Sequence, residues 1–471
     1  MPSLIAYQNA LTDIIDPARS RKKWNKHDDI WAREADVSLK TLQRFWNREP
    51  IRSANFIRIC QAVGIEDWKS VTDASANSSQ SAERAVEFSA YDDMWVGREP
   101  LVADLKQKLL GVCRLAIILG IAGIGKTALA QRLVIELEED WLQKDVVTLV
   151  QENFDNQDQA VDFGSVAARL LEKCGQSVTS EERQDSQLLL NKLINHLKAN
   201  HYLIVIDALE RILRSNEENG RHNFEDEDFA VFFQRVLSTD SFRSRIILTS
   251  QDMPAQILMI GTRYQNFWIC KSLSGLSEEE QHSLFIRIGL QAKTESSSQP
   301  LRRIGKAYEG HPLALRVIAG EIGNKPFYGN IAAYWNKYGS EIEEVENSII
   351  EAQKGNIEGA DDKWKIDRFT NTLKANVRHR LEQTFKRLNK DARYAYILLC
   401  ETSVYRCPVP DRYWLRHLEY WGQSEEQRST ALDILIDRYL VEPLIDKDEY
   451  KLRQHNLIRS ISLEHFKSLD E

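Results

Sequence analysis

Five apolar runs punctuate the middle of the chain: Leu115 to Leu119, Val146 to Val150, Leu203 to Ile206, Arg245 to Thr249 and Phe267 to Leu273. Stretches with helical periodicity separate them. Strands covered on both faces read as unbroken hydrophobic runs, so this alternation predicts a parallel five-stranded α/β sheet with helices on either side. From Ser274 the pattern turns helical, with a polar interruption from Ile357 to Lys374. Beyond residue 376 the spacing predicts short helices, the strand pair Tyr439 to Glu442 and Tyr450 to Leu452, and a helix from Leu457, the plan of a small winged helix.

The N-terminal end has its own pattern. Ile30, Trp31, Ala32 and Ala35 form one apolar stripe. Asp36 to Ser38 then reads as a tight turn with Ser38 as N-cap, followed by a helix over Leu39 to Asn47 and a third over Ser53 to Val63. The segment Thr72 to Ala82 is too polar to pack and reads as a linker. The expected organisation is therefore a small all-α domain (1–71), a linker (72–90), an α/β domain (91–273), a helical domain (274–375) and a winged-helix domain (376–471). A chain of 471 residues is too long for one core, consistent with several domains.

Composition changes this picture little. No stretch approaches the ~20 uninterrupted apolar residues of a membrane span, and the N-terminus lacks a signal-peptide pattern, so a cytoplasmic protein with no membrane partner is expected. The scattered cysteines, Cys60, Cys113, Cys174, Cys270, Cys400 and Cys407, imply buried free thiols rather than a disulfide framework or metal site. The net charge of −8 is uneven: residues 1–70 carry 12 Lys/Arg against 9 Asp/Glu, so only this end favours a polyanion.

The chemistry concentrates at Gly120 to Thr127, G-I-A-G-I-G-K-T, between the first apolar run and a helical pattern. Strand, glycine-rich loop and helix in this order make a phosphate-binding P-loop. Gly120, Gly123 and Gly125 let the backbone turn and approach phosphates, while Lys126 reaches their β and γ oxygens. Thr127 would ligate Mg²⁺, and the helix that begins here, through Ala128, favours negative charge. Asp207 ends the apolar run Leu203 to Ile206, where open α/β sheets bind ligands, and is the expected partner of Mg²⁺. Glu210, three residues on, would orient the water that attacks the γ-phosphate, or is a surface residue opening a helix. Thr249 and Ser250 place hydroxyls where a γ-phosphate is sensed, or simply end a strand.

With these landmarks the chain resembles the STAND signalling ATPases with an NB-ARC nucleotide-binding module, which include plant immune receptors, the animal apoptosome scaffold and many bacterial regulators. The resemblance runs from about Trp95 to the C-terminus. It implies that Val96, Gly97 and Arg98, in Val-Gly-Arg-Glu, help recognise the adenine end. It also implies that Pro312, in Gly-His-Pro-Leu-Ala-Leu, packs on the base, and that His455, in Gln-His-Asn-Leu, contacts the ADP β-phosphate from the winged helix. ATP or ADP with Mg²⁺ is the implied cofactor. Two departures stand out. Gln251 replaces the arginine that often follows the sensor strand, and Asn456 and Ala208 replace acids common in relatives, which implies slow hydrolysis or dependence on Glu210.

The N-terminal helices resemble repressor-like helix-turn-helix domains, in which Ser38, Lys40, Thr41, Gln43 and Arg44 would face the major groove. An adaptor or self-association module is the alternative for the same segment. Three functions are thus open: a nucleotide-operated switch that self-associates on binding ATP, an ATP-controlled DNA-binding regulator, and a metabolic phosphotransferase, the last disfavoured because no small-substrate pocket chemistry is recognisable.

Overall fold

The computed structural model describes residues 3–26, 29–48, 51–72, 95–141, 148–155, 160–215, 222–292, 294–354, 368–446 and 449–469. Most of the proposed linker, 73–82, and residues 357–367 of the polar interruption lie outside them. The chain divides into two units, one built on Gly97–Gly275 and one gathering the N-terminal end with the segments after Leu276.

In the first unit the five apolar runs become β1 (Leu115–Leu119), β2 (Thr148–Asn153), β3 (Tyr202–Asp207), β4 (Arg245–Ser250) and β5 (Trp268–Ser272). All pair in parallel, in the order β2-β3-β4-β1-β5. The parallel sheet expected from the pattern is present. Residues 146 and 147, the start of the second run, lie outside the described residues. Every residue of β1 is buried, as a strand sandwiched between helical layers requires. Side chains from helices Phe163–Lys173, Ser186–Ala199 and Glu227–Ser238 fill the core on one face, where Phe163, Phe224, Phe229 and Phe233 interleave. Arg114 enters the interior at the foot of β1. Its guanidinium donates to the carbonyls of Val236, Leu237 and Thr239 and lies 4.0 Å from the Phe267 ring centre. A cation is favoured there because the last carbonyls of a helix lack intrahelical partners.

In the second unit Ser3–Leu4 pairs antiparallel with Ile51–Arg52, so the N-terminal end is not the all-α domain expected. Helical turns over Gln8–Ala10, Leu11–Ile15 and Asp16–Arg21 precede the three helices that were expected there, Asp29–Glu34, Leu39–Trp46 and Ser53–Ala62. Asp36 makes the turn with a left-handed φ of 50°. Ser38 caps the second helix by accepting from the Thr41 amide at 2.9 Å. Trp31, Phe45, Trp46 and Phe56 form its aromatic core. Ile30, assigned to the apolar stripe, is 45% exposed instead.

Helices Glu278–Arg287, Glu295–Ala307, Pro312–Gly323, Ile331–Lys354, Arg368–Asp391 and Arg393–Glu401 come next. A three-stranded antiparallel sheet follows, with Glu449–Arg453 between Val409–Pro410 and Glu442–Asp446, flanked by helices Asp411–Tyr420, Glu425–Asp437 and Asn456–Phe466. The first strand of the expected pair starts later than its apolar run. Tyr439 has a left-handed φ of 57°, and Tyr439, Leu440 and Val441 are buried in the helical core before extended pairing begins at Glu442. Gly320 has a backbone reason to lack a side chain: a Cβ there would lie 2.8 Å from Cα of Arg438. Among the described residues no helix is long and apolar enough to cross a membrane, and the six cysteines are free, with Cys407 exposed.

Candidate nucleotide-binding site

Parallel pairing puts the carboxyl ends of all five strands on one edge, where loops can converge on a ligand. The loop after β1 turns through left-handed glycines at Gly123 (φ 81°) and Gly125 (φ 99°) before the helix Lys126–Trp141 starts. A Cβ on Gly125 would stand 3.0 Å from the Arg98 guanidinium, and one on Gly120 would stand 2.8 Å from Ile124. The loop therefore depends on glycine for both its turn and its packing. Lys126 folds back over it, its ammonium donating to the carbonyls of Gly120 at 2.8 Å and Ile121 at 3.2 Å. The first N–H groups of the long helix that follows, which include those of Thr127 and Ala128, lack intrahelical acceptors and suit an anion.

Arg98 supports this loop from outside. Gly97 and Arg98 both have left-handed backbones, which starts the helix Glu99–Leu110 and turns the guanidinium onto the carbonyls of Ile124 at 2.8 Å and Ser274 at 3.0 Å. The arginine expected to read the adenine end is thus bonded to the phosphate loop's own backbone.

β3 and β4 bring the acids together. The Thr127 hydroxyl donates to both oxygens of Asp207, at 3.0 and 3.1 Å. Thr249, at the end of β4, donates to the same carboxylate and accepts from the Ala208 amide at 3.2 Å. Burial pushes the Asp207 carboxyl above the usual carboxylate range, against the two threonine hydroxyls and the Lys126 ammonium, which favour its charge. Asp155, just past β2, pushes in the same direction as burial, and Arg211 pairs with Asp155 at 2.7 Å. A hydroxyl and a carboxylate in contact are hard oxygen donors, the set that suits Mg²⁺. The residues present fit a nucleotide phosphate with its metal.

Glu210 does not stand free on the surface. Ala208 takes a left-handed conformation (φ 62°, ψ 44°), and the short 3₁₀ turn Leu209–Ile212 then carries Glu210 back to the end of β4. There the Gln251 side chain donates to one carboxylate oxygen at 2.9 Å and the Gln251 amide donates to the other at 3.1 Å. Gln251, which stands where the resemblance leads one to expect an arginine, holds the acid. Ser250 points away, its hydroxyl donating to the Asp252 carbonyl at 2.7 Å.

Pro312 and His455 belong to the other unit and each opens a helix. Pro312 takes the first position of the helix Pro312–Gly323, and the His455 ring accepts from the Leu457 amide at 3.2 Å as an N-cap.

The second N-terminal helix, expected to face a DNA groove, meets later segments of the chain in this structure. Ser38 and Thr41 are buried, and both hydroxyls donate to Asp437, at 2.5 and 2.8 Å. Lys40 donates to the Ile436 carbonyl at 2.7 Å and lies 3.7 Å from the Tyr439 ring centre. Gln43 donates to the Arg287 carbonyl, and Arg44 is half-buried. One turn earlier, Asp36 pairs with Lys325 at 2.6 Å and accepts from Tyr328. A polar face needs partners, and here the chain's own later segments supply them.

Residues 114–289 match the model of the NACHT domain. An uncharacterised WD repeat-containing protein of Nostoc sp. is 24% identical over 347 residues, 65% of this chain and 27% of that protein. The chain therefore spans about a quarter of that relative. Solved structures with similarity include a STAND protein with a tetratricopeptide repeat sensor from Pyrococcus horikoshii (TM-score 0.44, 16% identity, covering 79% of this chain and 42% of that one). The Aeropyrum pernix ORC2 protein is another (TM-score 0.34, 13% identity, covering 80% and 97%). Over residues 114–289 this chain is similar to the NACHT domain, and the strand, glycine-rich loop and helix found there stand in the P-loop order.

Proposed function

We propose that the protein is an ATP/ADP-operated switch of the NB-ARC type, in which nucleotide exchange or slow hydrolysis controls self-association or signalling. The observation that carries this reading is the meeting of Lys126, Thr127 and Asp207 at the carboxyl edge of the parallel sheet, over a loop that only glycines can form. The loop amides and Lys126 would hold the β and γ phosphates. Thr127 and Asp207 would hold Mg²⁺, which when bound neutralises charge on the phosphates. Glu210 would orient the attacking water, and Thr249 would keep Asp207 turned toward the metal. The roles that the resemblance gives Val96, Pro312 and His455 belong to this reading, as does a winged helix over residues 376–471.

Identification of the nucleotide released from the purified, denatured protein tests it. An adenine nucleotide, chiefly ADP, is expected, and Lys126→Ala should lose it because no other residue of the loop supplies a cation. Full occupancy in that variant would reject the assignment.

A second reading, an ATP-controlled DNA-binding regulator, is favoured by one observation. Ser38, Lys40 and Thr41 hold an oxyanion and a neighbouring carbonyl with two hydroxyls and an ammonium, groups that also bind DNA phosphates. In this reading the DNA-binding face is exposed only when the helix leaves Asp437. Retention of duplex DNA at low salt by an Asp437→Ala protein, but not by the unaltered one, would support it.

A further inference from the structure

The ends of β3 and β4 are joined by two parallel sets of contacts. Thr249 holds Asp207 and the Ala208 amide, and two residues later Gln251 holds Glu210. Thr249 is the last residue but one of β4 and Gln251 the first beyond it, so the end of β4 and its exit grip both acids of the β3 turn, while the Ser250 hydroxyl bonds the Asp252 carbonyl. Both donors on Glu210 come from one residue, and each takes a different carboxylate oxygen. A carboxylate that accepts an N–H on each oxygen has lost rotation about its last bond. Glu210 accepts on both oxygens, so the side-chain group of Gln251 that faces it is the NH₂ end.

Resting on the reading that Glu210 orients the water, we propose that Gln251 is a positioning residue for hydrolysis. It sets the plane and direction of the Glu210 carboxylate and does not itself touch the nucleotide. In its place a leucine keeps most of the volume and the backbone donor but frees one carboxylate oxygen. The acid then samples several orientations, and misplacement of a water-orienting group lowers the chemical step without weakening nucleotide binding.

Single-turnover hydrolysis and ATP affinity are to be measured in the full chain for Gln251→Leu, Glu210→Gln and the double variant. The hydrolysis rate of Gln251→Leu should fall about 10- to 100-fold with ATP affinity unchanged within about twofold. In Glu210→Gln, adding Gln251→Leu should cost no further rate, since the clamp would have nothing left to position. An unchanged rate in Gln251→Leu beside a slowed Glu210→Gln would overturn the inference and leave the function of Glu210 standing. So would a faster rate, which would make the clamp a restraint, or a drop that tracks lost ATP affinity. If Glu210→Gln hydrolyses at the normal rate, or if the unaltered chain shows no turnover, the hydrolytic reading and this inference both fail.

Discussion

Ser38 and Asp437 lie 399 positions apart and share a buried hydrogen bond of 2.5 Å. The same Asp437 oxygen also accepts from Thr41, so one carboxylate fastens the first turn of the second N-terminal helix to the end of the helix Glu425–Asp437. Asp437→Ala would leave two buried hydroxyls without their acceptor, a local cost of about 1–3 kcal/mol each at most. Faster amide hydrogen exchange is expected in Leu39–Trp46, with ADP affinity unchanged. Exchange identical to that of the unaltered protein would show that the Lys40, Gln43 and Asp36 contacts hold the helix without Asp437.

Ala208 is a non-glycine residue at φ 62°, a conformation costing an L-residue about 1 kcal/mol or more. Its amide bond to Thr249 needs no side chain. Ala208→Gly should therefore raise stability, by about 0.5–1 kcal/mol once the greater freedom of the unfolded chain is deducted. The turn that delivers Glu210 to Gln251 should be preserved, so ATP affinity should not change. A lower denaturation midpoint would mean that the Ala208 methyl, buried at this turn, contributes more by packing than the backbone loses.

What the sequence disclosed and what it hid differ in kind. The runs Leu115 to Leu119 and Leu203 to Ile206 are continuous because both faces of those strands are covered, and burial of that sort is written in consecutive residues. The phosphate loop is equally local, since its glycines, lysine and threonine act within eight positions. The contact of Ser38 with Asp437 has no such signature: a serine N-cap looks the same whether its hydroxyl meets water, DNA or a distant carboxylate. Lys40 and Gln43 read as a free polar face because helical periodicity separates polar from apolar sides but does not say which polar side is paired. Gln251 was legible only as the lack of an arginine, and its grip on Glu210 requires the left-handed turn at Ala208. Asp155 and Arg211, a further charged pair beside Asp207, come from different strand ends and carried no motif.

Gly125 combines a left-handed φ of 99° with a prospective Cβ contact of 3.0 Å to the Arg98 guanidinium. Gly125→Ala strains the loop backbone and presses on the arginine that holds the Ile124 carbonyl. ADP affinity should fall at least tenfold, while the sheet, whose core lies on other residues, should unfold within a few degrees of its usual midpoint. Undiminished affinity, measured by titration calorimetry, would show that the loop can turn without glycine at this point.

A deeply buried charge cluster lies in the unit that holds the segments after Leu276. Glu321 accepts from Thr384 at 2.6 Å and from Arg387 at 2.6 Å, and pairs with Arg380, whose side chain is 1% exposed. Burial alone would raise the Glu321 carboxyl, but the Arg380 and Arg387 guanidiniums, with the Thr384 hydroxyl, hold it down at about 2. Removing the charge with Glu321→Gln leaves Arg380 and Arg387 without their main partner, which in a buried pair costs about 3–5 kcal/mol near neutral pH. The pH dependence has a fixed sign. The carboxylate is more acidic folded than unfolded, so its contribution is complete above the ordinary value of 4.5 and is lost as pH falls toward about 2. The stability gap between the unaltered protein and Glu321→Gln, read from urea midpoints, should therefore be widest at about pH 6–7 and narrow steadily below about pH 4.5. A gap that stays constant into the acid range would show that Glu321 acts through its shape and hydrogen bonds, with no net gain from its charge.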